Sequence, residues 1–145
     1  MMPSVTYIPR VFVGQLTGEY SLLSIGDPNQ EDEFAKSHPG RHRLEIDDVE
    51  ELIDNSYVMF DYLKALKVLV WLEDQGDKDI VIHCEAGISR SAAVAKFMVE
   101  HLGYTLKPHG DLRTDMVGYN VLVFRQLLIA QLDRVKTKLV QVKEK

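Results

Sequence analysis

The sequence predicts an α/β fold, with a mostly parallel central sheet flanked by helices. Three observations predict it. Short apolar runs of strand length alternate along the chain with longer segments of helical periodicity. The runs end at turn-forming residues such as Gly26-Asp27-Pro28-Asn29. One run, Asp79-Ile80-Val81-Ile82-His83, has the composition of a buried strand and leads without a break into a second helical pattern.

Each element follows from its own pattern. Val5 to Val13 alternates between apolar and polar residues and closes at Gly14, which reads as one or two short strands. Tyr20 to Ile25 is a mostly apolar strand ended by the Gly26 turn. Residues 29 to 42 are polar and contain Pro39-Gly40, so a loop is expected, with room for a helical turn. His42 to Ile46 alternates again as a strand, and the acids Asp47, Asp48, Glu50 and Glu51 suit the N-terminal end of a helix. From Tyr57 to Leu72, Met59, Phe60, Leu63, Leu66 and Val70 recur at helical spacing, and Gly76 marks the stop. Ser91 to Leu102 is helical, with Val94, Phe97, Met98 and His101 on one face and Gly103 at its end. A loop with Pro108, Gly110 and Gly118 leads to a last helix over Asn120 to Val140. Its expected core face is Phe124, Leu127, Leu128 and Leu132, and Gln141 to Lys145 are expected to fray.

The bulk composition narrows the function. At 145 residues the chain fits a single domain, 1–145, with enough length to bury a core. A formal charge of -5 without a long basic cluster argues against nucleic acid or an anionic membrane as partner. The start, Met1 to Tyr7, has neither the basic nor the apolar region of a secretory signal, and the apolar stretches are interrupted too soon to span a bilayer. The single cysteine excludes an internal disulfide and a Cys-rich zinc site, which makes a reducing cytoplasm the expected location.

The chemistry concentrates in His83-Cys84-Glu85-Ala86-Gly87-Ile88-Ser89-Arg90-Ser91. A buried strand runs into a tight Cys-x5-Arg loop that opens a helix. Ligands of α/β sheets bind there, beyond the carboxyl ends of the strands. The backbone N–H groups of Glu85, Ala86, Gly87, Ile88, Ser89 and Arg90 can wrap a tetrahedral anion, to which the helix start adds partial positive charge. Gly87 permits close approach of the backbone. Arg90 can grip two phosphate oxygens with its planar fork, which a lysine cannot do. The same surroundings favour the thiolate of Cys84. A nucleophile inside an anion nest is equipped for phosphoryl transfer.

This loop resembles the His-Cys-x-x-Gly-x-Ser-Arg-Ser loop of the dual-specificity branch of the protein tyrosine phosphatase superfamily. The resemblance is closest to the small bacterial and phage-type tyrosine phosphatase-like proteins of that branch. It extends weakly upstream through Leu44-Glu45-Ile46-Asp47-Asp48 and downstream to Asn120-Val121-Leu122-Val123-Phe124-Arg125. It implies the architecture of a cysteine phosphatase, with Cys84 as nucleophile, Arg90 as phosphate clamp and Ser91 as the hydroxyl that stabilises the departing thiolate. His83 would tune the loop by hydrogen bonding. The family's proton donor is an Asp on a loop ahead of the cysteine strand, second in such a pair, which points to Asp48 with Asp47 behind it. Asp111 and Asp115 are lesser candidates, and the acids at 47–51 also fit a solvated helix start. Asn120 matches an Asn that opens the family's last helix, and equally fits a plain N-cap. In the family a further helix and an Arg-Arg-Pro turn precede the last helix, whereas Gly103 to Tyr119 reads mostly as loop. Glu85 puts a negative charge in the loop, which disfavours polyanionic substrates.

The implied activity is hydrolysis of phosphate monoesters through a phosphocysteine, on protein phosphotyrosine and by extension phosphoserine and phosphothreonine. The alternatives are phosphatases of RNA 5′ ends or small metabolites, and a module that binds phosphate without cleaving it. No metal or organic cofactor is implied, because the loop amides and Arg90 supply the electrostatics. His38 and His42 flank Pro39-Gly40 and are poorly spaced as a metal pair.

Overall fold

The computed structural model describes residues 3–30, 38, 40–50, 56–110, 112 and 114–144. Five strands, β1 (Ser4–Pro9), β2 (Ser21–Gly26), β3 (Arg41–Glu45), β4 (Ile80–Cys84) and β5 (Thr105–Leu106), form one sheet in the order β3-β2-β4-β1-β5. Every neighbouring pair is parallel. The α/β expectation therefore holds, with an all-parallel sheet in place of a mostly parallel one. Among the described residues three α-helices accompany it: α1 (Tyr62–Gln75), α2 (Arg90–His101) and α3 (Val121–Glu144). Parallel strands need long crossovers, so all strand carboxyl ends emerge at one edge of the sheet. That edge is where chemistry-bearing side chains from distant segments can meet.

β4 lies at the centre because Ile80, Val81, Ile82, His83 and Cys84 are all buried, which only a strand covered on both faces allows. On one face Val5, Tyr7, Leu23, Ile25, Ile80 and Ile82 pack with buried residues of the three helices into the main core. On the other, Ile8, Leu22 and Val81 pack with Val13, and Phe12, Leu16, Tyr20 and Leu112 partly cover them. Each such aliphatic side chain contributes roughly 1.5–3 kcal/mol by leaving water.

Several expectations are corrected. Of the one or two strands expected within Val5–Val13 one forms, and the chain after it is a 3-10 turn, Arg10–Gln15, because Pro9 at its N-cap has no N–H for a ladder. α1 begins at Tyr62, five residues after the expected Tyr57. The chain before it is held off the helix by Asp47, whose N–H donates to Val58 O at 2.8 Å and whose Oδ2 accepts from Val58 N–H at 2.7 Å. The buried face of α1 is Ala65, Val68, Leu69 and Leu72, while Leu63 and Val70 are exposed and Phe60 is buried ahead of the helix. β5 is only two residues long and gives no periodicity to read. α3 runs past the expected Val140 to Glu144; of its expected face Leu127 is buried and Phe124 and Leu128 pack partly buried against the core, whereas Leu132 is 54% exposed and Val123 and Ala130 are buried in addition. Leu139 and Val140, toward its end, are exposed as well. The described part of 47–50 is a bend and not a helix start. Residues 31–37, where a helical turn had room, lie outside the described residues.

Among the described residues no helix is long and apolar enough to cross a membrane. None of their His, Cys, Asp and Glu side chains form a group of three that could hold a metal ion. His42 stacks on Trp71, and His38 packs at a tilt against Tyr20. Burial, then neighbouring Lys67, holds His42 below its ordinary pKa.

Candidate active site

The loop from Cys84 to Arg90 leaves the carboxyl end of the central strand and turns directly into α2. Gly87 makes the turn, with φ at +68°, a region costly for residues with a Cβ. A Cβ on Gly87 would stand 2.3 Å from Pro9 N and 2.5 Å from Ile8 C. The sequence pointed to close approach of the backbone to an anion. The structure adds a second reason, because the loop lies against the end of β1. The register places Pro9 beside Cys84, and Arg10 N–H reaches Glu85 O at 3.3 Å.

Cys84 is buried, and its Sγ lies 3.1 Å from the hydroxyl of Ser91, the second residue of α2. His83 is fully buried behind it, with Nε2 2.6 Å from Ser24 Oγ on the neighbouring strand. Arg43 Nη1 donates to that same hydroxyl at 2.8 Å. Glu85 is exposed, and its carboxylate turns toward Arg10, 3.5 Å from Nε. Ala86 and Ile88 are exposed on the loop, while Ser89 is half-buried at the N-cap of α2.

Arg90 is 4% exposed. Its Nη1 donates to Asp27 Oδ1 and to Ile46 O, both at 2.8 Å, from the ends of β2 and β3. Nη1 carries two protons, so both are used. The buried Nε has no hydrogen-bond partner. A buried guanidinium N–H without an acceptor is costly, which makes the Nε–Nη2 edge a donor pair suited to an oxyanion.

The two adjacent acids part company. Asp48 reaches the loop: its Oδ1 accepts from Ser89 Oγ at 2.7 Å and from Asn120 Nδ2 at 2.8 Å. Asp47 is tied to Val58, as described above. Asp115 is exposed and accepts from Val117 N–H at 3.2 Å within its own segment, and Asp111 lies outside the described residues.

Asn120 is the expected N-cap and reaches two other segments as well. Its Oδ1 accepts from Val123 N–H at 3.0 Å as the cap of α3, and its Nδ2 also donates to Val49 O at 3.2 Å. Its own N–H donates to Ser89 O at 3.0 Å. The fully buried Asn120 therefore joins the acid-bearing bend, the Cys84 loop and α3. Glu50 also belongs to a helix start, although a distant one, since its Oε1 accepts from Val121 N–H at 2.9 Å.

The sequence brought Cys84, Arg90, Ser91 and Asp48 forward; the first three share the loop and the start of α2, with Ser91 beside Cys84, and Asp48 bonds to Ser89 of that loop. It did not bring forward Asp27, whose available signal was an acid directly after an apolar strand at the carboxyl edge of the sheet. It also passed over Tyr7, whose hydroxyl accepts from Met116 N–H at 3.2 Å and tethers the segment before α3. No further helix occurs among the described residues of Gly103–Tyr119.

No family model matches the chain, and no curated protein matches it. The fold that stands is α/β, with a five-stranded parallel sheet packed against helices.

Proposed function

We propose that the protein is a cysteine-dependent phosphatase of the dual-specificity type, hydrolysing phosphate monoesters through a phosphocysteine at Cys84. The observation that carries this reading is Arg90. A buried guanidinium with Nη1 fully engaged and Nε without a partner stands at the start of α2, in the loop that Cys84 opens. A tetrahedral dianion there would satisfy Arg90, the loop amides and the helix start together.

In the first step the Cys84 thiolate attacks phosphorus, forming the S–P bond as the ester P–O bond breaks. The departing oxygen takes a proton from Asp48, the acid whose carboxyl group is bonded to Ser89 beside the loop. In the second step Asp48, now a carboxylate, takes a proton from water as the water attacks phosphorus. The S–P bond breaks, phosphate leaves, and the Ser91 hydroxyl at 3.1 Å stabilises the returning thiolate. Protein phosphotyrosine is the leading substrate class, followed by phosphoserine and phosphothreonine.

A binding-only module is the second reading. The observation favouring it is that one oxygen of Asp48 already holds two hydrogen bonds, so an acid kept in that place would leave phosphate held but uncleaved.

The test is hydrolysis of an aryl phosphate across pH, without added metal, by the wild type, Cys84→Ser, Arg90→Lys and Asp48→Asn. Wild-type turnover that falls to background in Cys84→Ser, with a phosphoryl group trapped on Cys84 by rapid quenching, supports the phosphatase. A large loss in Asp48→Asn, with a changed pH profile, assigns the acid. A well-folded wild type that binds a phosphopeptide without turnover selects the binding-only reading, and turnover surviving in Cys84→Ser overturns both mechanism and nucleophile.

A further inference from the structure

Resting on the anion site proposed above, we infer that Asp27 is a positioning residue, which holds the guanidinium of Arg90 so that its Nε–Nη2 edge faces the phosphate. A carboxylate beside a site for a dianion opposes binding by its charge, so its presence calls for a geometric benefit. The geometry supplies one. Asp27 Oδ1 and Ile46 O both lie 2.8 Å from Nη1. Two acceptors on the two protons of a single nitrogen fix the rotation of the planar group about its last bonds.

The acceptors are themselves held. Ile46 N–H donates to Gly26 O at 3.0 Å, joining the carboxyl ends of β2 and β3. Asp27 sits in a turn, with Gln30 N–H donating to Asp27 O at 3.2 Å, Pro28 fixing one backbone angle and Asn29 in the left-handed region at φ +63°. Arg43 Nη2 donates to Gln30 O at 2.7 Å and anchors the turn to β3. The Asp27 side chain is about half exposed while that of Arg90 is 5% exposed, so the pair spans the boundary between solvent and core. An arginine without this clamp keeps its charge and loses its aim. Lost aim costs rate steeply, since misplacement by about 1 Å can cost on the order of 10²-fold.

The experiment measures tungstate affinity by calorimetry and aryl phosphate kinetics, using Asp27→Ala and Asp27→Asn in the full chain, each also in the Arg90→Lys background. Tungstate is the probe because it is a tetrahedral dianion that needs no turnover. Asp27→Ala is expected to weaken tungstate binding and lower kcat/KM by about 10- to 100-fold, the scale of a lost charge-assisted contact acting through geometry. Asp27→Asn keeps an oxygen acceptor and recovers most of that loss. In the Arg90→Lys background the effect of Asp27→Ala largely disappears, because there is no fork left to orient. Additive losses in that background, or wild-type tungstate affinity in folded Asp27→Ala, overturn the inference. So does a loss in Asp27→Asn as deep as in Asp27→Ala with a displaced acid limb, which would make Asp27 a proton donor. If the wild type binds tungstate with this pattern but turns nothing over, the phosphatase reading fails and the role of Asp27 stands.

Discussion

The starts of α1 and α2 present opposite solutions to one problem. A helix leaves its first N–H groups without intrahelical partners, and a side-chain oxygen at the N-cap ordinarily satisfies one of them. Asp61 does this for α1, accepting from Lys64 N–H at 2.9 Å. Ser89 occupies the same position in α2 and makes no side-chain cap, because its hydroxyl donates to Asp48 instead. α3 sides with α1, since Asn120 and Glu50 both accept from its first turn. Omitting a cap costs about 1 kcal/mol, and burying the unpaired Nε of Arg90 adds to that cost. The helix left uncapped is the one that begins in the Cys84 loop, with that arginine as its first residue. On the proposed function, the contrast teaches that the protein forgoes local stability where an anion would restore it.

The largest predicted effect comes from closing the loop's geometry. Gly87→Ala forces a Cβ into Pro9 and Ile8 at a left-handed φ, and should destabilise the fold by about 3 kcal/mol while abolishing turnover. Denaturant unfolding checks the first part; wild-type stability would mean that the loop relaxes freely away from β1. Next in size is Ser89→Asp, which makes the start of α2 resemble that of α1. An aspartate there would occupy the helix start with its own negative charge and repel Asp48. Tungstate affinity and kcat/KM should fall by about 10²-fold or more, with thermal stability preserved to within about 1 kcal/mol. Undiminished tungstate binding would show that the α2 start takes no part in holding the anion. Asn120→Ala follows. It removes the α3 cap and the donor to Asp48 and Val49 together, for about 2 kcal/mol of stability. Because Asp48 loses its tether, kcat should fall more than the affinity for tungstate; equal losses in both would assign Asn120 to the loop and not to the acid.

The Cys84 loop was legible because it is contiguous. Strand, cysteine, glycine, arginine and helix stand in one stretch of chain, and local chemistry specifies their shape. Asp48 was legible through family resemblance, and its contact with Ser89 depends on the alignment of β3 with β2 and β4. Asp27 was read only as part of a turn, since nothing local announces that a residue 63 positions from Arg90 will grip it. Leu63 and Val70 of α1 and Leu132 of α3 were misplaced for a related reason. Periodicity shows that Leu63, Val70 and Leu132 lie on helices, but burial depends on where neighbouring elements end. The start of α1 was placed too early because the Asp47–Val58 bonds, a tertiary feature, override an apolar pattern that suits a helix.

The smallest effect tests α1 itself. Asp61→Ala should cost about 1 kcal/mol and leave aryl phosphate kinetics untouched, because the Asp61 side chain bonds to Lys64 within its own helix. The hydrogen bond from Lys64 N–H, more than its partial burial, sets the Asp61 carboxyl, which lies below its ordinary value of 3.8. The folded state therefore binds fewer protons than the unfolded chain in acid. The contribution is fully present above the ordinary value and is lost as pH falls through the folded one. The stability gap between wild type and Asp61→Ala should stay constant from neutrality down to about pH 5 and narrow below it. Asp61→Asn keeps an acceptor oxygen without a titrating proton, so its smaller deficit should lack that dependence relative to Asp61→Ala. A gap that persists undiminished into strong acid would show that α1 is capped by something other than the carboxylate. The contrast with α2 would then rest on Ser89 alone, since only its hydroxyl is turned from a helix start toward an acid.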